Sequence, residues 1–119
     1  MGEFGYEKLD IWKEGMELVE AVYRLSKSFP PSEPFGLTAQ LRRSAISIPS
    51  NIAEGSGRGS KPAFVNFARI SQGSLFEVRT QLEIAVRIGF VTEEEVAPIM
   101  ERAVKLSRMI DGFIKSLDH

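Results

Sequence analysis

The C-terminal part of the chain carries the pattern that most restricts the fold, an apolar residue at every third or fourth position. Seven residues follow this 3-4-3-4-3-4 spacing: Val96, Ile99, Ala103, Leu106, Ile110, Phe113 and Leu117. Because an α-helix turns once in about 3.6 residues, the spacing places them on one side of a helix. Such a stripe is stable in water when other helices cover it. The pattern therefore predicts a helix over 93–117 that packs against further helices.

The start of this helix has a recognisable signal. Thr92 and Glu95 form the capping-box pattern, in which the threonine hydroxyl accepts from the amide three residues later and the glutamate reaches back. Pro98 lies in the second turn, where its missing amide hydrogen costs only a local hydrogen bond. We therefore expect the helix to begin beside Thr92 and to continue through Pro98.

Three earlier segments show the same period and are separated by residues that end helices. The predicted helices span 9–28, 36–55 and 62–89. Prolines separate the first two, and a glycine-rich run, 55–62, separates the second from the third. Pro49 lies inside the second segment, where it removes one backbone hydrogen bond and is expected to bend the helix near Ala45.

Together the four amphipathic segments predict the fold class. Short connections between successive helices favour antiparallel neighbours, and no segment shows the alternation of a strand. The chain has 119 residues, of which 43% are apolar, enough for one compact core. We therefore expect an all-α protein, an up-down-up-down antiparallel four-helix bundle with the second helix bent at Pro49, forming a single domain over 1–119.

Composition excludes several kinds of chemistry. The chain has no cysteine, and its only histidine is the last residue, His119, so thiolate sites, serine–histidine catalysis and histidine-bound metals are not expected. No apolar run reaches the roughly 20 residues of a membrane span, and the start Met1-Gly2-Glu3 lacks the features of a signal peptide. We expect a cytoplasmic protein that is not an enzyme, with no cofactor, metal, membrane contact or small-molecule substrate.

Charge is unevenly distributed along the chain. The net charge is −1, yet residues 36–90 carry seven basic and three acidic residues, a local charge of +4. Such a segment can attract a phosphate backbone or an acidic partner, although solvated helix faces are the simpler interpretation. The candidate nucleic-acid or partner contacts are Arg42, Arg43, Arg58, Lys61 and Arg69.

The loop 55–62 is the best exposed candidate for a phosphate contact. It supplies Arg58 and Lys61 and leads into the amino end of the third helix at Pro62. Its Gly55-x-Gly57-x-Gly59 pattern is not a phosphate-binding motif, because Ser60 precedes Lys61, Pro62 follows it, and a helix rather than a strand comes before it. A flexible connection between helices is the alternative interpretation.

A polar seam runs beside the apolar stripes of the second and third helices. Its members recur at steps of three and four: Gln40, Ser44, Ser47, Asn51 and Glu54 on the second helix, and Ser74, Glu77 and Gln81 on the third. Such residues can form a hydrogen-bonded network inside a subunit or between subunits. The alternative is that Glu54 and Glu77 form a carboxylate pair for metal binding or acid–base chemistry. Bundle metal sites usually contain Glu-x-x-His repeats, and the sequence has none.

Several segments resemble one family of bacterial proteins. They are Leu9-Asp-Ile-Trp12, Phe29-Pro30 with Glu33, Phe35 to Arg43, Ser47-Ile-Pro-Ser-Asn51-Ile-Ala-Glu-Gly55, and Gly73-Ser74 with Glu77. The chain is similar in these segments to the four-helix-bundle proteins encoded in intervening sequences of 23S ribosomal RNA genes. The block from Ser47 to Gly55 is the most specific. The resemblance also extends to the accessory variability proteins of diversity-generating retroelements, which bind nucleic acid.

The resemblance implies a homo-oligomer, with a pentamer known among relatives, and no enzymatic activity. The accessory variability proteins are strongly basic, whereas this chain is slightly acidic. Our first hypothesis is an oligomeric bundle that binds RNA or a nucleoprotein through its basic central helices and the loop 55–62. The second is a protein–protein scaffold or accessory subunit without nucleic-acid contact. A metal-dependent hydrolase that uses Glu54 and Glu77 is a third.

Overall fold

Four helices account for most of the chain in the computed structural model, which describes residues 5–31 and 36–117. In chain order they are α1 (Asp10–Ser26), α2 (Leu37–Ser56), α3 (Lys61–Arg87) and α4 (Glu93–Leu117). A single 3-10 turn, Tyr6–Lys8, precedes α1. The described residues contain no strand. The all-α fold class is therefore confirmed, and each helix end lies within two residues of its predicted position.

The helices pack in sequence order and close on themselves. Each helix lies against the next one along the chain, and α4 also packs on α1, in a body of 45 × 23 × 20 Å. Their directions alternate. Ser26 near the end of α1 contacts Arg42 near the start of α2, and Gly55 at the end of α2 lies against Phe64 at the start of α3. Phe64 in turn packs on Phe113 near the end of α4. No helix within the described residues is long and apolar enough to span a membrane.

Some residues used in the sequence-based expectations lie outside the described parts of the chain. They are Met1, Gly2, Glu3, Glu33, Pro34, Phe35 and His119.

The apolar stripe of α4 is buried along most of its length. Val96, Ile99, Ala103, Leu106 and Ile110 are each at most 5% exposed. At the end of the helix the buried position moves to Ile114, because a helix of about 3.6 residues per turn drifts relative to a 3-4 repeat. Phe113 is half-buried and packs edge-on against Phe64, with 4.9 Å between ring centroids.

Side chains cap the starts of α3 and α4. The Thr92 hydroxyl accepts from the Glu95 amide at 3.1 Å, and a Glu95 carboxylate oxygen accepts from the Thr92 amide at 3.0 Å. These two bonds confirm the predicted capping box. At the start of α3, the Ser60 hydroxyl accepts from the Ala63 amide at 3.3 Å, with Pro62 in the first turn.

Helix α2 continues through Pro49, and the expected bend near Ala45 is not confirmed. The assigned helix runs from Leu37 to Ser56 with the proline inside it. Pro49 is buried and faces α1 at Gly15, where an added Cβ would lie 3.4 Å from the Pro49 Cβ. The proline ring therefore acts as a packing surface for α1, in addition to its effect on the backbone.

Gly55 is a packing position as well as the start of the glycine-rich run. It is the last residue of the predicted second helix, and in the structure it lies inside α2 and is buried. A Cβ at this position would lie 2.8 Å from the Phe67 Cβ and 2.9 Å from the Phe64 Cδ1. The absence of a side chain thus allows the end of α2 to lie directly against the first turns of α3.

We predict that Gly55→Ala destabilises the protein, whereas Gly73→Ala stabilises it. The alanine at 55 meets Phe67 close to its backbone, and overpacking of this kind costs about 1–3 kcal/mol. Gly73 lies in the interior of α3 with open space around it, so alanine should add about 0.5–1 kcal/mol. Urea denaturation of both variants at one protein concentration gives the two free energies of unfolding. Equal values for the two variants would contradict the packing described for Gly55.

Candidate binding surfaces

Arg42 is committed to contacts inside the bundle. Its Nε donates to the Ser26 hydroxyl at 2.8 Å, and its guanidinium lies 4.5 Å from the centroid of the Tyr23 ring. Both partners belong to α1. The side chain is therefore half-buried between α1 and α2, and it contributes little to an exposed basic surface.

Arg69 belongs to a polar cluster that joins α3 to α4. Its Nη1 lies 3.3 Å from the Asp111 Oδ1 and donates to the Gln72 Oε1 at 2.9 Å. Gln72 is buried, and its amide donates to the Ser107 carbonyl at 3.1 Å and to Asp111 at 2.8 Å. The cluster holds the two helices in register, with Arg69 on the α4 side of α3.

The loop 55–62 exposes the two basic side chains expected there. The Arg58 Nη2 lies 3.1 Å from the Glu54 Oε2, and its guanidinium lies 5.0 Å from the Phe67 ring centroid. Lys61 is exposed at the first residue of α3. A shallow hollow of about 220 Å³ lies between this loop and Phe64. Among the five predicted basic contacts, only Arg58 and Lys61 lie together at the α2–α3 connection, while Arg43 is exposed on α2.

Part of the polar seam meets between α2 and α3. The hydroxyls of Ser47 and Ser74 are hydrogen-bonded to each other, and the Asn51 amide donates to the Ser47 carbonyl at 2.7 Å. Ser71 of α3 is fully buried, and its hydroxyl donates to the Ile48 carbonyl at 2.9 Å. Gln40 is exposed. The bonded part of the seam thus lies at the α2–α3 contact.

The two carboxylates of the seam are far apart. Ser47 lies opposite Ser74, and Glu54 is seven residues further along α2 while Glu77 is three residues further along the antiparallel α3. At about 1.5 Å per residue, they are separated by roughly 15 Å along the bundle. Within the described residues there is no cluster of three or more metal-ligating side chains. This geometry does not support the metal or acid–base pair considered from the sequence.

The surface carries large apolar side chains that sequence reasoning did not single out as candidates. They are 39% to 58% exposed and comprise Met16, Ile46, Ile70, Phe76, Ile84 and Ile88. In the sequence, their exposure could have been inferred for Ile70 and Ile84, because these residues lie outside the buried apolar stripe of α3. Large exposed apolar patches on soluble proteins mark binding surfaces.

One apolar surface is a groove between α1 and α2, which we call the α1–α2 groove. It has a volume of about 350 Å³ and is lined by Tyr6, Trp12, Met16, Val19, Ile46, Pro49, Ser50 and Ala53. The rings of Tyr6 and Trp12 pack edge-on at one end, with 5.4 Å between centroids. Because its walls are formed by two packed helices, the groove is concave.

Three further exposed isoleucines, which we call the α3 row, are Ile70 and Ile84 on α3 and Ile88 at its C-cap, with the exposed Glu77 between Ile70 and Ile84. Ile70 is one turn before Ser74, whose hydroxyl meets α2, so the row lies on the α2 side of the exposed face of α3. Phe76 lies on the other side of that face, with the Arg79 guanidinium 5.9 Å from its ring centroid. The row is convex because a single helix presents it.

These features define an antiparallel four-helix bundle with exposed apolar side chains and one exposed basic loop. The family model for the 23S rRNA-intervening sequence protein matches residues 7–112. The chain therefore belongs to the 23S rRNA-intervening sequence protein family. The match includes the block from Ser47 to Gly55, whose proline and last glycine contact α1 and α3 respectively.

A solved structure has the same fold. It is a protein with unknown function from the S23 ribosomal protein family of Bacteroides thetaiotaomicron, 24% identical in sequence. The match has a TM-score of 0.80 and covers 88% of this chain and 98% of the other. A search of curated proteins gave no match.

We predict that Gln72→Met lowers the free energy of unfolding by about 1–2 kcal/mol, because it removes buried hydrogen bonds between α3 and α4. Gln40→Met makes the same chemical change at an exposed position of α2 and should alter stability by less than about 0.5 kcal/mol. Chemical denaturation of the two variants measures the difference. A similar small effect for both would mean that the α3–α4 cluster does not hold the helices together.

Proposed function

We propose that the protein is a non-enzymatic, homo-oligomeric four-helix bundle whose biological role is carried by its binding surfaces. The exposure of large apolar side chains on α1, α2 and α3 is the observation that carries this proposal. Contact with another protein surface removes such side chains from water, a favourable change of about 25 cal/mol for each Å² of apolar area. The resemblance described above favours self-association, with five subunits as the expected number.

The charged side chains favour the same interpretation. Arg42 and Arg69 are engaged with α1 and α4 respectively, which leaves a smaller basic surface than the local charge of +4 suggests. The exposed apolar side chains are therefore the more extensive binding feature of the described surface.

We expect the purified chain to have a mass several times its 13.3 kDa monomer mass in solution. Light scattering coupled to size-exclusion chromatography measures this mass over a range of protein concentrations. Because apolar contacts are not weakened by salt, the mass should persist at high ionic strength. A monomer at every concentration would contradict self-association and would leave the apolar surfaces for a different protein partner.

The second candidate function is contact with RNA or a nucleoprotein through the loop 55–62. Arg58 and Lys61 are both exposed there, beside the amino end of α3, where backbone amides favour anions. This candidate also rests on the resemblance to the accessory variability proteins. Because Arg58 lies beside Glu54, the contact requires Arg58 to exchange one exposed partner for a phosphate. An exposed ion pair of this kind contributes little free energy, so replacing Glu54 with a phosphate as the partner of Arg58 costs little.

For this candidate we expect labelled structured RNA to bind about tenfold more weakly at about 200 mM salt than at about 50 mM, as for roughly two phosphate contacts. The double variant Arg58→Ala/Lys61→Ala should lose this binding, measured by fluorescence anisotropy. The control Arg24→Ala/Lys115→Ala removes the same charge from exposed positions on α1 and α4. Equal weakening by both variants would show non-specific attraction, and absence of binding by the folded wild type at low salt would exclude this function.

A further inference from the structure

The most exposed large apolar side chain of the described residues lies where α3 borders α4. This residue is Phe76, which is 58% exposed. Two turns earlier on α3, Arg69 meets Asp111 of α4. Because seven residues return a helix to nearly the same face, Phe76 and Val104 occupy the equivalent positions two turns along the antiparallel pair. The Phe76 ring therefore lies level with Val104, which is half-buried.

A shallow hollow continues from Val104 across the outer face of α4. It has a volume of about 650 Å³ and is lined by Met100, Glu101, Val104, Lys105, Arg108 and Met109. Its two methionines are half-buried against the core. Methionine side chains are flexible, so they are common on surfaces that adapt to peptide ligands. We call Phe76, Met100 and Val104 together the α3–α4 patch.

Two arginines flank the α3–α4 patch. The Arg79 guanidinium lies 5.9 Å from the centroid of the Phe76 ring, and Arg108 is exposed at the hollow. Neither arginine forms an ion pair with a carboxylate within residues 5–31 and 36–117. Both guanidinium groups are therefore available to a carboxylate of another molecule.

The other charged groups around the patch leave a positive balance. Asp111 and Glu83, near its two ends, are each paired with an arginine of α3. Lys105 of the hollow lies 3.8 Å from Glu14 of α1. Glu101 also lines the hollow, but the two unpaired arginines outnumber this one carboxylate. An acidic partner is therefore favoured over a basic one.

The spacing of the two arginines matches the repeat of a helix. Arg79 is three residues after Phe76 on α3, and Arg108 is four residues after Val104 on the antiparallel α4. They therefore lie on opposite sides of the apolar centre, about 10 Å apart along the bundle, which equals two helical turns. A helix with acidic residues seven apart and apolar residues between them presents both kinds of side chain to this surface.

We propose that the α3–α4 patch binds an acidic amphipathic helix of a partner protein, with the pattern Glu-x-x-Leu-Leu-x-x-Glu or its aspartate equivalent. The two leucines cover Phe76 and Val104, and the two carboxylates meet Arg79 and Arg108. Recognition of a helix through residues at this spacing is a common mode of peptide binding. The apolar centre and the net charge of −1 favour this partner over a polynucleotide.

This inference goes beyond the self-association proposed above and does not depend on it. The patch lies on the α4 side of α3, whereas the α3 row lies on the α2 side and the α1–α2 groove lies between two other helices. A peptide can therefore bind to a monomer or to an oligomer that uses those surfaces.

The test uses two fluorescently labelled helical peptides that differ only in charge. Each is an alanine- and glutamine-rich peptide of about 18 residues, long enough to form a helix by itself. One carries a central Glu-x-x-Leu-Leu-x-x-Glu block, and the other has lysine in place of both glutamates. Fluorescence anisotropy with the full chain measures binding. We expect the glutamate peptide to bind at least about tenfold more tightly than the lysine peptide.

A pair of alanine variants tests the apolar centre. Phe76→Ala removes its largest side chain and should weaken binding of the glutamate peptide about tenfold. The control Ile88→Ala removes an exposed apolar side chain of the α3 row and should leave this binding unchanged.

A charge exchange tests the two arginines. Arg79→Glu/Arg108→Glu should reverse the preference, so that the lysine peptide binds and the glutamate peptide does not. The control Lys13→Glu/Arg24→Glu makes the same change at exposed positions of α1 and should keep the original preference. Circular dichroism verifies folding. If glutamate unfolds the variant, Arg79→Gln/Arg108→Gln replaces it and should abolish the preference for either peptide.

The contrary outcomes are distinguishable. A folded wild type that binds neither peptide overturns the inference. Equal weakening by the patch variants and their controls places the contact elsewhere and also overturns it. Binding of single-stranded oligouridine that is lost in Phe76→Ala, without peptide binding, would assign the patch to nucleic acid instead. A monomeric chain that binds the glutamate peptide as described supports this inference while contradicting the self-association.

Discussion

The close packing of α2 on α3 is the contact on which the rest of the molecule depends. At one end Gly55 lets α2 lie against Phe64 and Phe67, and in the middle the buried Ser71 hydroxyl bonds to a carbonyl of α2. The Ser47–Ser74 bond lies beside it, three residues further along α3. With these two helices held together, α1 and α4 each complete the core from one side, and α2 and α3 present their remaining faces to solvent.

The fold follows from the sequence because each helix has a clear apolar period and a clear end. The capping box at Thr92 and the stripe of α4 illustrate how local pattern and burial agree. Gly55 illustrates the limit, since a glycine next to other glycines indicates a turn and only the packed structure brings it against Phe67. Phe113 shows a smaller shift: it packs against the core as its place on the stripe predicts, but the drift of the helix buries Ile114 more fully.

The candidate surfaces were harder to predict from the sequence than the fold was. Arg42 and Arg69 look alike in a charge count, yet one is bonded to α1 and the other to α4, because long side chains find partners that are distant in sequence. Conversely, the isoleucines at 70, 84 and 88 resemble additional core residues. The sequence does not show that they are exposed, because it does not say which sides of α3 the other helices cover. The contacts of the basic side chains and the exposure of these isoleucines therefore follow from how the helices pack.

The glycine at position 15 has a consequence for the sequences that this fold can accept. A Cβ there would be in ordinary contact with the Pro49 ring, whereas one at Gly55 would overlap Phe67. A relative with the same helix spacing can therefore exchange Gly15 for alanine, but a larger side chain at that position requires α1 to move away from α2. Because the α1–α2 groove lies along that same contact, the residue at position 15 indicates the width of the groove in each relative before its structure is known.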